Sequence, residues 1–207
     1  VLVAIEWGKM VYKETQIDIL VTPATVIISG VLIAFAVGKP INQVMIALGD
    51  FIENATQLQP FLMGIVVSVV IGMLLTLPIS SAAICLAIGL GGIAGGAATA
   101  GCCAQMIGFA VLSFKENRWG GLIAQGLGTS MLQMGNIVKN PRIWIAPTLA
   151  AAITGPSSTC VFHLENIPIG SGMGTCGLVG PIGIYTAMPE GGANMWLGIA
   201  LVCFVLP

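Results

Sequence analysis

The stretch Thr154–Gly183, TGPSSTCVFHLENIPIGSGMGTCGLVGPIG, combines a polar cluster with a glycine-rich run inside strongly apolar surroundings. It contains the only histidine of the chain, His163, which stands with Glu165 and Asn166 in the sequence HLEN. An ionisable side chain at the centre of a membrane-spanning helix costs about 2.5–3.5 kcal/mol on insertion scales. Non-helical backbone at that depth occurs only where it is buried in protein or lines a wet cavity. The pattern predicts a solute site at a re-entrant or broken helix, and the alternative is a glycine-rich loop outside the bilayer.

The composition indicates a membrane protein. Charged residues make up 7% of the chain and hydrophobic residues 57%, whereas soluble domains contain about 25% and 45–50%. The mean hydropathy is +1.01. No charged residue occurs in the 61 positions between Glu53 and Lys115, and a single transmembrane helix needs about 20 apolar residues. The sequence therefore predicts an all-α, polytopic integral membrane protein with transmembrane helices and re-entrant helical hairpins.

Several other classes are disfavoured. The net charge of −1 and the lack of a basic patch argue against nucleic acid as a partner. The His163-x-Glu165 spacing is found in zinc deaminases, but the required P-C-x-x-C partner is missing, so we expect no metal and no cofactor. The six cysteines form no C-x-x-C pair and are interpreted as small buried side chains rather than disulfides. Because the chain starts at Val1 and stops inside an apolar run, we expect it to be a fragment of a longer protein.

The first part of the chain, residues 1–58, is predicted to be a scaffold and dimerisation domain. Ile19–Gly38 is a charge-free run of transmembrane length and carries none of the polar residues of the predicted site. Ile41–Leu58 mixes Asp50 and Glu53 with apolar residues, which fits an amphipathic linker helix in the membrane interface or, as an alternative, a solvated loop.

Residues 59–207 are predicted to form a transport domain that binds the solute. A helix is expected from Pro60 to about Thr76, a bend or hairpin tip near Gly91–Gly96, and a renewed helix over Gly101–Phe114. Lys115–Trp119 is predicted as a charged loop. Two re-entrant segments are expected, at about residues 120–138 and 155–183, and an interfacial helix is the alternative for the first. A final span is expected over Ala193–Pro207.

The basic residues predict the orientation, since short cytoplasmic loops are enriched in Lys and Arg. If the chain crosses the membrane outward along Ile19–Gly38 and returns along Pro60–Thr76, every basic residue except Lys39 faces the cytoplasm. The residues placed inside are Lys9, Lys13, Lys115, Arg118, Lys139 and Arg142.

The candidate substrate-binding residues are polar side chains in apolar or glycine-rich context. They are Gln105, Gln133, Asn136, His163, Glu165, Asn166 and Thr175. A carboxylate such as Glu165 can accept hydrogen bonds from two hydroxyl groups, and Asn166 can both donate and accept. His163 is a candidate orienter or proton acceptor, or else a histidine bonded within the bundle. Gln105 either contacts substrate or joins helices.

Four segments resemble the EIIC membrane proteins of the bacterial phosphotransferase system. They are QPFLMG (Gln59–Gly64), TLPISSAA (Thr76–Ala83), GAATAGCCAQMIGFA (Gly96–Ala110) and ENIPIGSGMGTCGLVG (Glu165–Gly180). The similarity is greatest to the second EIIC family, which includes proteins labelled as regulators of toxin production, and it covers roughly residues 19–207.

The resemblance implies a sugar permease subunit in the bacterial plasma membrane. Related permeases bind sugar partly with re-entrant hairpins and move it by an elevator mechanism within a homodimer, while separate EIIB and EIIA subunits supply the phosphoryl group. Such a chain takes part in phosphoryl transfer only together with EIIB. Glu165 is the residue whose context matches the sugar-binding glutamate of related families.

Two other functions stay open. A membrane-embedded regulator or sensor of the same fold would bind the solute without phosphorylating it, and a facilitator would carry a non-sugar polar solute.

Overall fold

The structure is a computed structural model that describes residues 59–207 continuously and, before them, positions 24, 26–32, 35, 38, 43, 46, 47, 49–52 and 54. The chain divides into two compact units, Val1–Leu48 and Gly49–Pro207. The predicted helices Ile19–Gly38 and Ile41–Leu58 are helical at their described positions. Their other positions, and all of residues 1–18, lie outside the described residues. The scaffold and transport roles of the two parts stay predictions.

The fold is all-α, as the sequence predicts. Among the described residues the one departure from helices, turns and loops is an isolated antiparallel bridge between Gly92 and Asn166. The α-helices of residues 59–207 are α1 (Pro60–Thr76), α2 (Ser81–Ala87), α3 (Gly92–Leu112), α4 (Phe114–Ile123), α5 (Met134–Lys139), α6 (Ile145–Pro156), α7 (Pro168–Ser171), α8 (Val179–Ala187) and α9 (Gly192–Ala200).

Helices α1, α3 and α6 pack on one another and form the centre of the unit. Their backbones approach closely because small residues stand at the contacts. A Cβ added at Gly101 of α3 would overlap the backbone carbonyl of Ser68 in α1, and one at Gly155 of α6 would overlap that of Gly64. The Ser68 hydroxyl donates to the Ala151 carbonyl at 2.8 Å and so joins α1 to α6. This is the small-residue packing that brings helices together in membranes.

Helix α3 corrects the prediction of a bend near Gly91–Gly96 and a helix only from Gly101. The helix runs without a break from Gly92 to Leu112, and the turn lies before it. Glycine costs about 1 kcal/mol relative to alanine inside a helix, but Gly95, Gly96 and Gly101 meet other parts of the chain that leave no room for a side chain. Tertiary packing therefore offsets the low propensity. In the described part of the chain, α3 is the single helix both long and apolar enough to cross a bilayer.

The segment after α3 also differs from its prediction. Lys115–Trp119 is not a loop but part of α4, which is broken at Arg118, where φ is 49 and ψ is −142. A π-helical turn, Ala124–Gly128, follows. Thr129 is then extended, and a 3-10 turn, Ser130–Gln133, leads into α5. The interruption within residues 120–138 agrees with a broken segment, while its depth in a membrane stays a prediction.

The stretch Thr154–Gly183 is interrupted as well. Helix α6 ends at Pro156 and continues as a π-helical turn, Ser157–Val161. Residues 162–167 are non-helical and lead into the short helix α7. A 3-10 turn, Cys176–Leu178, precedes α8, and the predicted final span contains α9 followed by a π-helical turn, Leu201–Val205.

We predict that Gly101→Ala lowers stability by about 1–3 kcal/mol, the usual cost of overpacking a core, because the new methyl group overlaps the Ser68 backbone. Gly135→Ala is the matched control, since a Cβ there meets nothing within 4 Å and alanine gains about 0.5–1 kcal/mol in a helix. The detergent-solubilised protein should show a lower melting midpoint for the first variant alone. Equal midpoints for the two variants would contradict the packing at Gly101.

Candidate functional site

The polar cluster HLEN is positioned by the first turn of α3. The Gly92 N–H donates to the Asn166 carbonyl at 2.9 Å, and the Asn166 N–H donates back to the Gly92 carbonyl at 3.1 Å. A Cβ at Gly96 would overlap the Leu164 carbonyl. The non-helical segment can lie this close to α3 only because the helix begins with glycines.

Within the cluster, burial alternates along the chain. Leu164 and Asn166 are buried, whereas His163 is exposed and Glu165 is half-buried. Leu164 belongs to an apolar core with Ile184, Met195 and other residues of α3, α8 and α9. Leu164 and Asn166 are therefore turned into the fold, while the two ionisable residues, His163 and Glu165, keep some exposure.

Asn166 is fully engaged by the fold. Its Nδ2 donates to Thr99 Oγ1 at 2.6 Å and to the Gly180 carbonyl at 3.2 Å. Its Oδ1 accepts the Ile167 N–H at 2.7 Å. Both amide hydrogens are therefore used, and the side chain joins the HLEN segment to α3 and α8. The structure places Asn166 as an anchor that holds its neighbour Glu165 in position.

Glu165 has a different environment. Its backbone N–H donates to Met188 Sδ at 3.2 Å. Its carboxylate forms no hydrogen bond or ion pair with any described residue. His163 adopts a left-handed backbone conformation, with φ 46, which is uncommon outside glycine. The carboxylate of this half-buried residue thus keeps its acceptor capacity for a ligand.

A second polar group lies in the broken segment after α4. Gln133 Nε2 donates to Gln125 Oε1 at 3.1 Å, and Asn136 Nδ2 donates to Gln133 Oε1 at 2.8 Å. We call this chain of Gln125, Gln133 and Asn136 the amide ladder. Gln133 and Asn136 line two clefts, of about 540 and 470 Å³. Amide groups that both donate and accept are well suited to sugar hydroxyls.

The remaining candidates lie elsewhere. Gln105 is buried, with its Nε2 donating to Thr148 Oγ1 at 3.2 Å, while its Oε1 has no partner among the described residues. Thr175 donates to the Gly126 carbonyl at 2.5 Å and so connects the two interrupted segments. The seven predicted residues therefore do not form one described cluster. They separate into the HLEN group, the amide ladder and two single sites.

Sequence reasoning missed four residues beside these clefts. Gln125 belongs to the amide ladder, and Glu116, Lys139 and Arg142 line the larger cleft. The basic residues were used only to assign orientation, although their place on each side of a polar segment could have indicated a shared surface. No group of His, Cys, Asp and Glu that could hold a metal ion occurs among the residues the structure describes.

Comparison with known proteins gives one match. A family model described as "Phosphotransferase system, EIIC" matches residues 1–207. No curated protein and no solved structure matches the chain.

We predict that Asn166→Asp destabilises the protein by about 3–5 kcal/mol, the usual cost of an uncompensated buried charge. Aspartate cannot donate to Thr99 or Gly180, and its charge would face the Gly180 carbonyl. The loss should shrink as the pH falls, because the protonated acid is neutral and can donate one hydrogen bond. Melting midpoints measured across a pH series test this, with the exposed Asn117→Asp as control. A pH-independent loss would argue against a buried carboxylate.

Proposed function

We propose that this chain, which belongs to the phosphotransferase-system EIIC family, is a permease subunit that binds a sugar or a related polar solute within the membrane. The family is membrane-embedded and works with sugars and with EIIB and EIIA partners. In this proposal the chain presents the bound solute to EIIB for phosphorylation. Its place is the bacterial plasma membrane, crossed several times.

The observation that carries this proposal is the carboxylate of the half-buried Glu165, which has no hydrogen-bond or ion-pair partner among the described residues. A carboxylate in poorly hydrated surroundings is unfavourable unless hydrogen bonds compensate for the lost water. Two sugar hydroxyls can supply them, and hydrogen bonds to charged groups are about twice as strong as neutral ones. A sugar bound at Glu165 would therefore supply the hydrogen bonds that no described residue gives this carboxylate.

The neighbouring residues have separate roles in this scheme. Asn166 fixes the backbone beside Glu165 through its bonds to Thr99 and Gly180. His163 is exposed and stands two residues before Glu165 in the chain, and it would orient the hydroxyl that receives the phosphoryl group or accept its proton. In phosphoryl transfer the protein contributes mainly positioning and charge stabilisation, which suits a site with no nucleophile of its own.

An elevator mechanism needs a block that moves as one body. The close packing of α1, α3 and α6 through Gly101 and Gly155 supports such a block within residues 59–207. Residues 1–58 would be the static scaffold and homodimer contact. Ile145, Leu149 and Ile153 of α6 are 56%, 60% and 66% exposed at a spacing of four residues. That apolar stripe fits lipid better than water.

The proposed re-entrant nature of residues 120–138 has its own support. Glu116, before this segment, and Lys139 and Arg142, after it, line one cleft. Both ends of the segment therefore lie at the same end of the fold, as expected for a chain that enters and returns. Positive charge on this side favours the cytoplasm.

We predict that Glu165→Gln lowers sugar affinity at least tenfold, because one charge-assisted hydrogen bond contributes about 1.5–3 kcal/mol. Folding should be little affected, since no described residue is left unpaired. The matched control is Glu190→Gln, at an exposed glutamate. Binding and uptake of a labelled sugar panel, with phosphorylation scored in the presence of EIIB, provide the measurement. Binding without phosphorylation would instead support the regulator, and uptake of non-sugar solutes the facilitator.

Unchanged affinity together with a large drop in the melting midpoint would show that Glu165 is structural. In that case its partner would be a cation from outside the described residues, and breaking a buried pair typically costs about 3–5 kcal/mol.

We predict that cysteines placed at Asn117 and Asn140 are both protected from membrane-impermeant thiol reagents added outside intact cells, and both labelled in inverted vesicles. The background needs removal of the accessible thiols Cys160 and Cys176, since the other described cysteines are buried. Labelling of only one position from outside would replace the re-entrant segment with a full crossing.

A further inference from the structure

The larger cleft beside the amide ladder collects charge from two separate segments. It has a volume of about 540 Å³, and its charged lining residues are Glu116 from the first turn of α4 and Lys139 and Arg142 from the end of α5 and the turn after it. None of these three side chains forms an ion pair or hydrogen bond with a described residue. We call it the cationic cleft, because two cations face one carboxylate.

Neutral donors complete the lining. Asn140 uses its Oδ1 to accept the Arg142 N–H at 3.4 Å, which leaves its amide nitrogen able to donate into the cleft. Asn136 donates one amide hydrogen to Gln133, and its other amide hydrogen has no partner among the described residues. Gln133 also lines the cleft, and its Nε2 donates to the buried Gln125. The lining of the cleft thus contains cations and amide donors, and hydrogen-bonded amides connect it to the buried Gln125.

We propose that the cationic cleft binds a phosphate group, that of the phosphorylated sugar as it leaves for the cytoplasm. This inference rests on the proposed function, because only phosphorylation makes the solute anionic. A guanidinium such as that of Arg142 can bind two phosphate oxygens at once, and the Lys139 ammonium adds a point charge. The volume lies within the range of small-molecule sites. The amide ladder faces the sugar hydroxyls.

Glu116 gives the site a specific signature. A carboxylate beside a phosphate repels it, so a cleft that binds phosphate should bind it more tightly once this charge is removed. It also favours release of the product, since it weakens the attraction of the two cations. Nonspecific electrostatics would also give opposite effects for a cation and a carboxylate, so the cleft is identified by comparison with Lys115 and Arg118, cations that line a different cleft.

The test uses the full chain in nanodiscs of zwitterionic phosphatidylcholine, titrated with inorganic phosphate and with glucose 6-phosphate by calorimetry. We expect saturable binding of both, weakened at least tenfold by Arg142→Gln and by Lys139→Gln. Glu116→Gln should tighten binding severalfold. The matched controls are Lys115→Gln and Arg118→Gln, because these cations lie in the neighbouring segment but line a different cleft, beside Phe114 and Trp119. They should change affinity less than twofold, and melting midpoints confirm folding.

Three results would overturn the inference. They are absence of saturable binding by the wild-type chain, equal weakening by the control variants, and weaker binding by Glu116→Gln. A fourth result would show that the phosphate group in the cleft belongs to a lipid and not to the sugar product. If nanodiscs containing anionic phosphatidylglycerol abolish phosphate binding by the wild type, a lipid headgroup occupies the cleft and the product assignment is wrong.

The proposed function is tested separately with Glu165→Gln and with sugar phosphorylation. Sugar phosphorylation by the wild type without phosphate binding would remove this inference and leave the proposed function standing. Phosphate binding with the expected residue pattern, but without sugar phosphorylation in the presence of EIIB, would retain the phosphate site and remove the proposed function.

Discussion

The close approach of other backbone segments to α3 is the constraint on which the described unit depends. Gly101 lets the helix meet the Ser68 backbone of α1, and Gly96 lets it meet the Leu164 carbonyl. A side chain at either position would push its neighbour away. The same helix therefore supports both the central helix packing and the non-helical segment that carries HLEN. Glycine weakens α3 locally, but it permits contacts that no larger residue allows.

This constraint also sets the environment of Glu165. Once Leu164 lies against Gly96 and Asn166 is bonded to Gly92 and Thr99, the chain between them has no freedom to turn Glu165 inward. The backbone of Glu165 is therefore held at a fixed position, and its carboxylate has no bond to any described residue. The packing of Leu164 and the hydrogen bonds of Asn166 make this backbone segment rigid, and the segment carries the polar residues.

Much of the helical architecture could be predicted from apolar runs, prolines and the absence of charge. Pro60–Thr76 was predicted with the bounds that α1 has. The bend near Gly91–Gly96 was wrong because glycine content reports local propensity, whereas α3 is stabilised by neighbours distant in the chain. The prediction of a charged loop at Lys115–Trp119 was wrong because four of its five residues are helical and only Arg118 breaks the turn.

The HLEN residues could be predicted from their chemistry. The contacts of Asn166 with Gly180 and of Thr175 with Gly126 could not, because no spacing in the sequence indicates that these residues meet.

The distribution of charge supports the proposal of two sites rather than one. A chain this poor in ionisable groups could have neutralised Glu165 with one of its few cations. Instead Lys139 and Arg142 lie in a cleft whose lining does not include Glu165. An ion pair between them would have satisfied the carboxylate and removed its use as an acceptor for hydroxyl groups. Keeping the charges apart leaves a carboxylate suited to a neutral polyhydroxy solute and a cationic cleft suited to an anion. That arrangement matches a reaction whose substrate is neutral and whose product is charged.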